Sequence, residues 1–115
     1  MTEINKGIRK IRRENGIIIL ELAGDIDLHH SVELRAGLLE TLQEKPGLLV
    51  LNMNDVGFMD SSGLATLVEA MQLSRRNGGQ LRLVGLSNRV RSIFEISRLD
   101  KIFQIYENES EALSE

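Results

Sequence analysis
The apolar positions change their spacing along the chain, and each change marks an element. Ile8 and Ile11, then the run from Ile17 to Leu22, are two β-prone stretches separated by Glu14-Asn15-Gly16. Asn-Gly readily takes the positive φ angles of a two-residue turn, so the chain is expected to open with a β-hairpin. Past Gly24-Asp25-Ile26-Asp27 the spacing switches to four. Leu34, Leu38 and Leu42 recur among Glu33, Arg35, Glu40, Gln43 and Glu44, the pattern of a helix with one buried face. Ser31 is its expected N-cap. Pro46-Gly47 is its expected stop, because proline excludes the helical conformation from the residue before it.

Leu48-Leu49-Val50-Leu51 is an unbroken apolar run, as in a central strand covered on both faces. A polar stretch then leads through Asp60-Ser61-Ser62 into Leu64, Leu67, Val68 and Met71, spaced i, i+3, i+4, i+7 as the inner face of a second helix. Asn77-Gly78-Gly79 closes it. Leu81 to Val84 reads as the next strand, and Ser87 opens a third helix that buries Val90, Ile93 and Phe94. A short strand around Phe103 to Ile105 follows. Ser110 to Leu113 is expected to form no more than a turn or two of fraying helix. The order of elements predicts an α/β fold with helices packed on a mixed β-sheet and right-handed crossovers between parallel strands. No linker, low-complexity segment or internal repeat divides the 115 residues, so a single domain over 1–115 is expected, with its core at about 8–113.

Composition narrows the chemistry. With three Phe, one Tyr and no Trp among 42% hydrophobic residues, the core must be aliphatic. The absence of cysteine excludes thiolate nucleophiles, disulfides and cysteine-ligated metals. No apolar run approaches the roughly 20 residues of a membrane span, and a soluble cytoplasmic protein is expected. A net charge of −3 argues against general affinity for nucleic acid. Lys6, Arg9, Lys10, Arg12 and Arg13 nevertheless cluster on the first strand, either as a docking patch for an acidic partner or as charges that keep an exposed sheet edge from pairing. The lack of aromatic residues for base stacking favours the edge.

The strongest candidate site is Phe58-Met59-Asp60-Ser61-Ser62-Gly63-Leu64, at the junction of the buried strand and the second helix. Ligands of open α/β sheets gather outside the carboxyl ends of strands, and free N–H groups at a helix start favour a phosphate there. The plainer reading makes Asp60, Ser61 and Ser62 helix caps. A hydrolase serine would want glycine on both sides in a Gly-x-Ser-x-Gly frame and a later histidine as base, whereas His29 and His30 both precede Ser61. Asp25-Ile26-Asp27-Leu28-His29-His30 carries metal-ligating residue types, but adjacent histidines point in different directions. Gly78-Gly79 is not followed by Lys-Ser or Lys-Thr, so it is no nucleotide loop. No catalytic residue, metal or cofactor is expected.

These motifs together resemble the anti-sigma factor antagonists, stand-alone STAS domains that switch partner by serine phosphorylation. The resemblance rests on Gly24-Asp25-Ile26-Asp27, Leu49-Val50-Leu51-Asn52, Phe58 to Leu64, Asn77-Gly78-Gly79-Gln80-Leu81 and Val90-Arg91-Ser92-Ile93-Phe94-Glu95. It implies a STAS-like fold and phosphorylation at Ser61. It sets Asp60 and Ser62 as flanks of that serine and Asp27 as an acidic position beside it; with the small neutral surface that Met59 and Leu64 are expected to offer at the helix start, the expected partner surface is Asp27, Met59, Asp60, Ser61, Ser62, Gly63 and Leu64. It also implies an anti-sigma factor that is a serine kinase and binds the unphosphorylated form, so releasing a sigma factor, and a serine phosphatase that resets the switch. A monomer or weak dimer is expected. The alternative is a non-phosphorylated STAS scaffold in a lipid-transport or stress-signalling assembly, with Ser61 no more than a cap.

Overall fold
A computed structural model describes residues 7–114. Strands β1 (Ile8–Glu14) and β2 (Ile17–Ala23) form the expected antiparallel hairpin. Its turn residues Asn15 and Gly16 sit at φ 51° and 80°, the left-handed pair that Asn-Gly supplies at least strain. Helix α1 (Leu28–Leu42) leads to β3 (Leu48–Asp55), α2 (Ser61–Arg76) to β4 (Gln80–Val84), and α3 (Asn88–Ile96) through a single 3-10 turn to β5 (Gln104–Tyr106). A short α4 (Glu109–Leu113) ends the described chain. The strand order is β1-β2-β3-β4-β5, with β2 to β5 all parallel.

The period-two alternation of β3 explains its unbroken apolar run. Leu49, Leu51 and Met53 enter the large core beneath the first three helices, with Leu34, Leu38, Leu67 and Phe94. Val50 points the other way, joining Ile19, Val84 and Ala112 in a smaller cluster covered by α4. Both faces of the strand are therefore dry, as expected. Phe94 and Phe103 meet edge to face with centroids 5.3 Å apart. Arg35 and Glu69 tie α1 to α2 through two 2.7 Å hydrogen bonds.

Three local expectations need correction. The N-cap of α1 is Asp27, whose extended backbone and side chain accept the His30 N–H at 3.1 Å. Ser31 lies inside the first turn, buried, with its hydroxyl donating back to the Leu28 carbonyl. The last strand begins one residue later than expected, because Phe103 is drawn into the helix-side core and Tyr106 pairs with Val84. The final helix is also not left to fray. The Glu109 carboxylate at its start takes hydrogen bonds from Arg12 (2.6 and 2.7 Å) and Asn52 (2.7 Å). At its other end, the carbonyl of buried Ala112 accepts from the buried Arg82 guanidinium at 2.6 Å.

The basic strand lies at the sheet edge, and its guanidinium groups are used within the molecule. Arg9 pairs with Asp55, Arg12 with Glu109, and Arg13 with Glu44. Lys6 lies outside the described residues.

Candidate functional site
The first three helices start at the carboxyl ends of β2, β3 and β4, and two of these starts are joined. An isolated parallel bridge connects Ile26 to Met59, through Ile26 N–H to the Phe58 carbonyl at 2.9 Å and Asp60 N–H to the Ile26 carbonyl at 3.2 Å. Each bridge residue precedes an aspartate in the same extended conformation, Asp27 at φ −110° and ψ −172° and Asp60 at φ −108° and ψ −171°. Each aspartate caps its own helix. Two helix N-termini thus lie side by side, with Leu28 and Ser61 in equivalent first positions.

Asp60 does more than cap. Its Oδ1 accepts the N–H groups of Ser62 (2.9 Å) and Gly63 (3.2 Å), while its Oδ2 accepts the N–H of Leu28 across the bridge at 3.1 Å. The capping role raised for Ser61 and Ser62 therefore belongs to Asp60 alone. Ser61 is exposed at the first position of α2, with its hydroxyl left out of the cap, and Ser62 behind it is half-buried.

Asp27 is held ionised. Desolvation, the largest single influence, pushes the carboxyl up, but hydrogen bonds from the His30 ring and from the His30 and His29 backbone, with the charge of His30, together outweigh it and lower the group below its usual value. Because an ionised carboxylate only accepts, His30 Nδ1, 2.7 Å from Asp27 Oδ1, is the donor. That ring is committed to Asp27. Among the described residues no group of three or more His, Asp or Glu side chains is placed to hold a metal ion. Among them, too, no helix is long and apolar enough to cross a membrane.

The surface around Ser61 differs from expectation in its apolar part. Met59 is fully buried and Gly63 is buried against it and Ile26, so neither side can be touched by a partner while the fold stands. Leu64 is half-buried, packed on the core from the edge. The exposed apolar groups come instead from α1, where Leu28 and Val32 are 66% and 69% exposed one turn apart, and from Phe58 in the loop before Asp60. The sequence reading missed Leu28 and Val32. The signal was there, since both fall off the Leu34-Leu38-Leu42 stripe, and an apolar residue off the buried stripe of a helix is a candidate contact.

Comparison with known proteins agrees with this architecture. The STAS domain family matches residues 9–112. The anti-sigma F factor antagonist of Paenibacillus polymyxa is 32% identical over 107 residues, 92% of each chain. The anti-sigma-B factor antagonist of Listeria monocytogenes is 33% identical over 109 residues, 94% of this chain and 95% of that one. The fold is also that of the Bacillus anti-sigma factor antagonist SpoIIAA in its unphosphorylated form, with a TM-score of 0.76 at 24% identity over 90% of this chain and 91% of that one. Its phosphorylated form superposes with a TM-score of 0.68 at 23% identity, covering 90% and 95%.

Proposed function
The chain belongs to the STAS domain family, and we propose that within it this protein is an anti-sigma factor antagonist, a cytoplasmic binding protein gated by phosphorylation of Ser61. Unmodified, it binds an anti-sigma factor that is also a serine kinase, and the sigma factor is released. Phosphorylated, it no longer binds, and a serine phosphatase restores it. Asp27, Asp60, Ser62 and Leu64 surround the serine, and Leu28 and Val32 extend the contact along α1.

The observation that carries this reading is the division of labour between Asp60 and Ser61. Asp60 supplies the cap of α2, so the exposed Ser61 hydroxyl has no structural duty at the helix start and can be modified without unravelling it. The same division weighs against a scaffold in which Ser61 merely caps. A phosphate here brings about −1.5 to −2 charges beside Asp60, on a surface whose exposed apolar groups suit a desolvated contact. Burying that charge without arginine partners is costly, whereas a hydroxyl can be buried at small cost if hydrogen-bonded. The gate is therefore electrostatic and local. Solved relatives in phosphorylated and unphosphorylated forms keep the fold, consistent with a gate that needs no refolding.

Incubating the protein with ATP and its anti-sigma factor kinase, then mapping phosphate by mass spectrometry, tests the assignment. Phosphate on Ser61 is expected. Stoichiometric phosphate elsewhere, with Ser61 unmodified, would overturn it.

A further inference from the structure
We propose that Asp60 is a positioning residue that fixes the apolar face of α1 against Ser61, so that partner binding depends on it without the partner touching its carboxylate. This rests on the docking surface proposed above. All three of its side-chain hydrogen bonds go to backbone N–H groups, two at the start of α2 and one at the start of α1. Leu28, whose N–H reaches Oδ2, is itself an exposed apolar residue at the first position of α1, and Val32 follows it one turn on. One carboxylate thus sets the distance between the modifiable hydroxyl and the apolar contact, and each N–H bound by an ionised acceptor is held more strongly than by a neutral one.

The two oxygens have separable duties. Asparagine caps a helix as well as aspartate does, so Asp60→Asn keeps an oxygen for Ser62 and Gly63. Its amide nitrogen then faces the Leu28 N–H, donor against donor. Asp60→Ser also caps but is one atom shorter and cannot span to Leu28. Leu28→Pro removes the N–H itself, at the first helical position, where proline is well tolerated. Asp27 before it is already extended, as the residue before proline must be.

The test combines amide hydrogen exchange with titration of the cognate anti-sigma factor. In Asp60→Asn the Leu28 amide should exchange faster, by about tenfold, while α2 keeps its protection, since one charge-assisted hydrogen bond has been lost. Binding should weaken by roughly tenfold. Asp60→Ser should behave alike, which covers the case in which the asparagine variant fails to fold. In the Leu28→Pro background, Asp60→Asn should change affinity by less than about twofold, because the donor it strands is gone. Equal losses with and without the Leu28 N–H would overturn the proposal, as would unchanged affinity in Asp60→Asn. Unchanged exchange at Leu28 overturns it whatever the partner does. Absence of any binding by the wild-type chain would instead sink the docking surface on which it rests.

Discussion
The α-carbon of Gly63 lies so close to the carbonyl of Ile26 that a β-carbon there would stand 2.5 Å from its oxygen, 2.7 Å from Ile26 Cγ2 and 2.8 Å from Met59 Cγ. The approach is set by the bridge between Ile26 and Met59, which brings backbone rather than a flexible side-chain end against the helix. Gly63→Ala should therefore force the start of α2 away from the sheet despite the better helix propensity of alanine. The expected loss is about 2–3 kcal/mol, or roughly 10 °C in melting temperature. Thermal unfolding within a degree or two of wild type would show that the junction yields more easily than its contacts indicate.

The proposed gate at Ser61 works by charge rather than by loss of a hydroxyl, and this separates two variants. Ser61→Ala should bind the anti-sigma factor nearly as the unmodified protein does, while Ser61→Asp should bind much more weakly. A desolvation penalty of about 4 kcal/mol for the phosphorylated form would weaken binding roughly a thousandfold. Calorimetric titration of both variants and the phosphoprotein decides this, and equal losses in alanine and aspartate would exclude an electrostatic gate.

Leu28 and Val32 lie outside both cores, so a charge there should be invisible to the fold and costly to the contact. Val32→Glu is expected to shift the unfolding free energy by no more than about 0.5 kcal/mol. Its affinity for the partner should fall by about tenfold or more. A variant that binds normally would move the docking surface off α1.

The anchoring of α4 predicts a pH dependence with a definite sign. Partial burial pushes the Glu109 carboxyl up, but hydrogen bonds from Arg12 and Asn52, with the charges of Arg12 and Lys10, outweigh it and hold the group below its ordinary value of 4.5. A carboxylate depressed in the folded state contributes stability above its unfolded value and loses it as pH falls through the folded one. Glu109→Gln should thus cost about 1 kcal/mol at pH 7 and progressively less below about pH 4.5. Urea unfolding of both proteins at several pH values reads the difference, and a gap that widens on acidification would refute it. Glu44 and Glu69 are also lowered, by Arg13 and Arg35 respectively, but these pairs are solvent-exposed and contribute little.

Where one short-range rule acts without competition, the chain shows its structure openly. Asn15-Gly16 specifies its turn, Leu34-Leu38-Leu42 its inner helix face, and Leu48 to Leu51 a strand dry on both sides. Legibility fails where two equally good local signals compete. Asp27 and Ser31 are both sound N-caps, and only the bridge from Ile26 to Met59 holds Asp27 in the extended conformation that decides between them. Met59 was misplaced for a related reason. It sits beside the site in sequence, but its bridge to Ile26 leaves its side chain in the core, whereas Ser61, two residues on, opens α2 and is exposed. The anchoring of α4 was hidden because its partners, Arg12, Asn52 and Arg82, come from three strands far away in the chain.

The burial of Met59 behind an exposed Ser61, with the Asp60 cap between them, has an evolutionary reading. On the proposed docking surface the apolar residues offered to a partner, Leu28 and Val32, are exposed and separate from the buried Met59 that holds the fold. A duplicated gene could then exchange Leu28, Val32 or the surroundings of Leu64, and so acquire a new partner, without first compensating for a damaged core. One genome could in this way hold several such switches that share a scaffold and a modification site yet ignore each other's kinases.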